Sequence, residues 1–193
     1  MEVSWDSLHA SIEKCEKCGL CRHIHHKVPG QGDAGADLMF IGEGPGADED
    51  MQGLAFVGAA GQLLTRMIAA IGMTREQVFI CNVVKCRPPQ NRAPEPEEMA
   101  ACLPYLRAQF SLVRPRVVVL LGATAAKGVL GDRIRITRDR GIWTERKGVW
   151  MMPTYHPSAL LRDPAKKPEA WEDMKALRRK LKELDLYPDL LKD

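Results

Sequence analysis

The sequence predicts an α/β protein, a three-layer α/β/α fold around a central four-stranded parallel sheet, in one domain over residues 1–193. Three observations predict it. Four apolar runs, too brief for helices but long enough for buried strands, recur along the chain. Between them lie segments whose apolar residues repeat at helical spacing. The order strand, loop, helix recurs, and such crossovers stack strands in parallel with helices on both faces.

The first helix is expected over residues 5–14, with Trp5, Leu8 and Ile12 on one side. Cys15-Glu16-Lys17-Cys18-Gly19-Leu20-Cys21 follows, two overlapping C-x-x-C pairs. Paired thiolates at this spacing can grip one metal centre. His23, His25 and His26 keep a zinc site open, although no second C-x-x-C or spaced His pair completes a zinc module nearby. Residues 27–36, rich in glycine, read as a loop. Leu38-Met39-Phe40-Ile41 is the first strand. After it, Gly42-Glu43-Gly44-Pro45-Gly46 demands a tight turn. Asp48-Glu49-Asp50 separates that turn from Phe56-Val57-Gly58. The loop lacks the third glycine of a dinucleotide fingerprint and the Gly-Lys-Ser/Thr of a Walker A loop.

A helix over residues 59–71 carries Leu63, Leu64, Met67, Ile68 and Ile71 as its stripe, and Gly72 ends it. Residues 74–77 form a short capped turn. The second strand spans 78–84, where Asn82 interrupts a β-branched run. This amide is either bonded to a neighbouring loop or reads a base, since it offers both a donor and an acceptor. A proline-stiffened loop, 85–92, holds Cys86. Pro94, Pro96 and three glutamates start a helix bearing Met99, Cys102, Leu103, Leu106 and Phe110. By spacing alone, Cys102 reads as a small core residue. The third strand, 116–122, is uniformly apolar, as a central parallel strand should be. A short helix covers 123–129, and 132–140 reads as a basic surface loop. The fourth strand is 149–155, its Pro153 pointing to an edge or a distortion. Pro157 keeps His156 out of helical geometry. The last helix starts near Pro168 and turns Trp171, Met174, Leu177, Leu181 and Leu184 inward; residues 185–193 are expected to fray.

Glu43, Asn82 and His156 therefore fall at or near the carboxyl ends of three strands, where open α/β sheets bind ligands. Their convergence makes them a candidate active site. A hydrophobic content of 45% and a charged content of 27% are those of an ordinary globular protein. No apolar run approaches a membrane span, so no membrane partner is expected. Residues 1–6 lack a basic-then-apolar leader, and a cytoplasmic protein is expected. A net charge of +3 is too small to establish a nucleic-acid partner. Six cysteines in such a chain suggest a metal or cluster before disulfides.

Four segments together carry a resemblance. They are Gly42-Glu43-Gly44-Pro45-Gly46 with Glu49-Asp50; Phe56-Val57-Gly58 with Ala60-Gly61; residues 82–89, Asn-Val-Val-Lys-Cys-Arg-Pro-Pro; and His156-Pro157 with Leu160-Leu161-Arg162. In this order they resemble the iron–sulfur uracil-DNA glycosylases called family four, over nearly the whole chain from Cys15 to about Trp171. The resemblance implies a [4Fe-4S] cluster on Cys15, Cys18, Cys86 and Cys102, with Cys21 a bystander. It implies a monomer acting on uracil-containing DNA, single- or double-stranded. Uracil binding falls to Glu43, Gly44, Phe56, Asn82 and His156, and catalysis to Glu43 and His156 with Glu49 as runner-up. DNA contacts fall to Gly58, Ser158, Leu160, Leu161 and Arg162, one leucine wedging into the duplex and the other packing the core. Lys85 is expected on a positive rim. Two departures stand out: Ala55 where the family usually has Pro, and Ala59 where it usually has Arg. They keep open a nucleic-acid-binding protein with weak or no activity, and a glycosylase for other deaminated bases.

Overall fold

The computed structural model describes residues 4–187. Its elements are α1 (Trp5–Glu13), β1 (Gln31–Gly32), β2 (Leu38–Gly42), α2 (Ala47–Gln52), α3 (Ala59–Ala70), β3 (Phe79–Asn82) and α4 (Pro96–Val113). They continue with β4 (Val117–Leu121), α5 (Gly122–Leu130), α6 (Ile136–Asp139), β5 (Thr144–Arg146), β6 (Val149–Thr154), α7 (Pro157–Arg162) and α8 (Lys167–Glu183). Strand order in the sheet is β1-β3-β2-β4-β6-β5. The inner four strands are parallel and are the four apolar runs.

The expected central four-stranded parallel sheet is present, and among the described residues an antiparallel strand at each edge extends it to six strands. Neither edge strand shows as an apolar run. β1 is two residues long. A Cβ at its Gly32 would lie 1.9 Å from the Val78 carbonyl, so glycine is what permits the pairing. β5 is short and polar. It is joined to β6 by Lys147-Gly148, both at positive φ, the backbone of a tight hairpin. Pro153 lies in β6 beyond the last residue paired with β5, so its missing N–H faces no β5 partner, and its carbonyl accepts the Gly141 N–H instead.

Alternate strand residues feed two cores, which makes the three layers. Phe40, Ile80, Val117, Val119 and Met152 meet α3, α7 and α8 through Leu64, Ile68, Leu160, Met174 and Leu177. Met39, Ile41, Phe79, Val118 and Leu120 meet α1, α4 and α5 through Leu8, Ile12, Leu106, Ala125 and Ala126. At roughly 25 cal/mol per Å² of apolar surface, these two cores supply the main driving force for folding.

Smaller differences follow from packing. Part of the expected loop at 132–140 is α6, whose Ile136 packs on the first core. Residues 185–187 dock rather than fray: Leu186 packs on the core, and the buried Tyr187 donates its hydroxyl to the Ile71 carbonyl. The rest of the expected frayed segment, 188–193, and the leader reading at 1–3 lie outside the described residues. Among the described residues no helix is long and apolar enough to cross a membrane.

The chain leaves β2 for β3 on one side and returns to β4 on the other. The sheet's topological switch thus lies between β2 and β4, and ligands enter such folds at the carboxyl ends of these strands.

Candidate active site

A cleft of about 600 Å³ opens at that rim. Glu43, Gly44, Glu49, Phe56, Gly58, Asn82, His156, Ser158 and Arg162 all line it, gathered from more than a hundred positions of chain. Leu160 and Leu161 do not. Leu160 is buried in the first core, so its reading as a DNA contact gives way to a packing role. Leu161, next in α7, is exposed.

Gly42, the last residue of β2, sets the floor. A Cβ there would stand 2.5 Å from both Asn82 Oδ1 and Phe56 Cζ, so only glycine lets the amide and the ring approach each other. Asn82 ends β3 and is 1% exposed. Its Oδ1 is buried and has no hydrogen-bond partner. An orphaned acceptor costs about 1–3 kcal/mol, which makes it a receptor for a ligand N–H.

Phe56 adopts φ 52°, a left-handed backbone that an aromatic residue rarely takes. Its loop is clamped from two sides. Arg75 donates to the Ala55 carbonyl at 2.8 Å and the Phe56 carbonyl at 3.0 Å. Glu49 Oε1 accepts the N–H groups of Val57 and Gly58, each at 2.8 Å, and Oε2 accepts that of Gly46 at 3.1 Å. Gly61 leaves room beneath, since a Cβ there would lie 1.9 Å from the Phe56 carbonyl oxygen. Both Glu49 oxygens accept backbone donors, so this cleft-lining carboxylate anchors the loop.

The Phe56 ring lies 5.6 Å from that of His156 at 30°. His156 caps the N-terminus of α7. Its Nδ1 accepts from the Ser158 N–H at 3.1 Å and pairs with the Ser158 hydroxyl at 2.8 Å. A backbone donor on Nδ1 puts the proton of the neutral ring on Nε2. Burial lowers the His156 pKa to about 4, and the nearby Arg162 adds to the shift, so the ring is neutral near pH 7. Ser158, expected to hold DNA phosphate, has its hydroxyl turned inward to orient this imidazole.

Glu43 follows β2 and is half-buried. Its Oε2 accepts a hydrogen bond from the Thr124 hydroxyl, at the start of α5. Thr124, Asn91 and Arg92 also line the cleft, and sequence reading missed all three. Thr124 sits one turn past an apolar strand, a placement that could have flagged it. Arg92 is held by two 2.8 Å bonds to Glu98. Lys85 is 1% exposed and so is not part of any positive rim.

Across the sheet from the first core, Cys15, Cys18, Cys86 and Cys102 line one small cavity, with Cys21 beside them. All are free thiols. Cys21 Sγ is turned to the Cys18 carbonyl at 3.2 Å. Burial pushes the Cys86 thiol up to about 12, and Cys102, Cys18 and Cys15 add to the shift. Thiols set so close together ionise only when a metal compensates them. Among the described residues no three His, Cys, Asp or Glu side chains close around a single ion. Four cysteine sulfurs on one cavity are the donor chemistry that an iron–sulfur cluster takes. Two of the three histidines that kept a zinc site open are engaged elsewhere: buried Asp50 binds the N–H groups of His25 and His26 and the His25 ring at 2.8 Å, and the His26 ring meets the Asp50 carbonyl at 2.9 Å.

The uracil DNA glycosylase superfamily model matches residues 29–175. A Type-4 uracil-DNA glycosylase of Sulfurisphaera tokodaii is 44% identical over 184 residues, 91% of this chain and 84% of that protein. One from Thermotoga maritima is 47% identical over 156 residues, 79% of this chain and 80% of that protein. A Type-5 uracil-DNA glycosylase of Pyrobaculum aerophilum is 34% identical over 150 residues, 69% of this chain and 66% of that protein.

Proposed function

The chain belongs to the uracil-DNA glycosylase superfamily, and from that premise we propose that it excises uracil from DNA by hydrolysis, with the cleft above β2 as its active site. The observation that carries the residue assignment is the orphaned Asn82 Oδ1 on the floor of that cleft.

Uracil in a duplex must be extruded before any side chain reaches it. Asn82 Oδ1 then accepts the uracil N3–H while Nδ2 donates to O4. Cytosine presents the opposite polarity at both positions. Each mismatched buried polar group costs about 1–3 kcal/mol, enough to reject it. Phe56 stacks on the ring. As the N-glycosidic bond breaks, its electron pair goes to the base and charge gathers on O2 and O4. His156 donates its Nε2–H to O2 and, being neutral, stabilises that charge without giving up a proton. The sugar becomes cation-like. Glu43, pinned by Thr124, orients the water that attacks C1′ and favours the positive sugar. The products are free uracil and an abasic site.

Cys15, Cys18, Cys86 and Cys102 would hold a [4Fe-4S] cluster, whose contribution is a cross-link from the N-terminal segment to the loop after β3 and to α4. Leu161, exposed at the end of α7, is the wedge for the gap in the duplex. Arg162 and the N–H groups of Ala59 and Ala60, which follow Gly58 at the start of α3 and line the cleft, take phosphates.

The test is uracil release from single- and double-stranded oligonucleotides under single-turnover conditions. Wild type releases uracil. Asn82→Ala and His156→Ala each slow release on the order of a hundred- to a thousand-fold. DNA binding by wild type without release would overturn the proposal, and unchanged rates in both variants would overturn the residue roles.

A further inference from the structure

Lys85 is a lysine with 1% exposure, and buried lysines are rarely left without a counter-charge. Its Nζ donates to the Asn82 carbonyl at 2.6 Å and to Gln109 Oε1 at 2.6 Å. Gln109 in turn donates to the Pro29 carbonyl at 2.6 Å. Both acceptors of the ammonium are neutral. Among the described residues no carboxylate forms an ion pair with it.

The cysteine cavity adjoins this lysine. Lys85 lines the cavity of the four cysteines and precedes Cys86 in the chain. Its backbone N–H donates to Cys102 Sγ at 3.3 Å. Four neutral thiols would leave the ammonium uncompensated. Four thiolates outweigh the charge of an iron–sulfur core and make the assembly a net anion.

We propose that Lys85 is the positioning residue that ties the cysteine nest to the uracil-reading amide: its ammonium balances the anionic cluster, and its bond to the Asn82 carbonyl holds the end of β3. This rests on the reading of the four cysteines as cluster ligands. It gives the cluster a bearing on Asn82 that needs no electron transfer. The buried charge is then balanced only in the loaded protein, because removing the iron leaves the ammonium with neutral acceptors alone.

The test is a thermal-melting cycle on the full chain: wild type and Lys85→Met, each iron-loaded and iron-stripped, with iron and sulfide analysed beforehand. Met keeps the apolar stem and removes the charge. Lys85→Met is expected to lower the Tm of the loaded protein by several degrees and to leave the Tm of the stripped protein unchanged or higher. The loaded variant should also show a several-fold higher KM for uracil-DNA. An equal fall in Tm in both forms is the signature of an ordinary buried hydrogen bond and overturns the proposal. Wild type purified and reconstituted without bound iron would overturn the cluster reading first, and this proposal with it. If Lys85→Met does not fold, Lys85→Gln enters the same cycle with the same outcomes. If the stripped protein gives no cooperative melt, iron release to a chelator decides: faster release from the variant supports the proposal, and equal rates overturn it.

Discussion

His156 receives the Ser158 N–H at Nδ1, so the proton of the neutral ring sits on Nε2. Burial brings its pKa to about 4 from an ordinary 6.5. Between those values the unfolded chain binds a proton that the folded protein refuses. Stability from this residue is therefore full above pH 6.5 and is lost as the pH falls toward 4. Replacing His156 by Asn should flatten the fall in unfolding free energy across that interval, by at most about 1.4 kcal/mol per pH unit. Urea denaturation at a series of pH values checks it, and identical slopes would refute a neutral, desolvated imidazole. Glu43 and Glu49 show how far a residue type leads by itself. Both are glutamates near one glycine loop, and their identity cannot separate them. Three backbone N–H groups on Glu49 and one threonine hydroxyl on Glu43 do.

The 55–58 loop is the element on which substrate stacking depends. Arg75 and Glu49 grip it from opposite sides and hold Phe56 in its left-handed backbone. Ala55, where the resemblance implies a stiffer proline, is buried, and its carbonyl is taken by Arg75. The arginine thus supplies rigidity that the sequence departure removes. Arg75→Met should cost about 1–3 kcal/mol of stability by orphaning two carbonyls. It should raise KM for uracil-DNA more than it lowers kcat, because the loop no longer holds the ring in place before binding. Melting and steady-state kinetics together check this, and unchanged KM would show that the ring needs no clamp. In α7, adjacent leucines go to opposite fates because neighbouring helical positions lie about 100° apart: Leu160 faces the core and Leu161 faces out.

For the whole molecule, the parallel strands bring the cleft residues to one rim of the sheet. A net charge of +3 is modest, so the grip depends on local placement. Arg162 lines the cleft and is exposed. Arg162→Ala should weaken DNA binding about equally for uracil-containing and undamaged strands and reduce the slope of log Kd against log salt by about one. Binding titrations at several salt concentrations check it. A loss confined to uracil-containing DNA would place Arg162 against the base instead of the backbone.

The four inner strands, the longer helices α1, α3, α4, α5 and α8 and the residues at the strand ends could be read from the chain, because apolar periodicity and glycine placement are local properties; the short helices α2, α6 and α7 could not. Short polar strands escaped that reading: β1 and β5 exist through pairing with β3 and β6, and their own residues carry no apolar signal. So did the division of labour within the cleft. Whether a carboxylate anchors a loop or faces water, whether a serine meets phosphate or imidazole, and whether a lysine lies on the rim or beneath it depend on neighbours distant in sequence. Chain packing brings those neighbours together, and hydrogen-bond saturation then leaves each group only the partners still within reach.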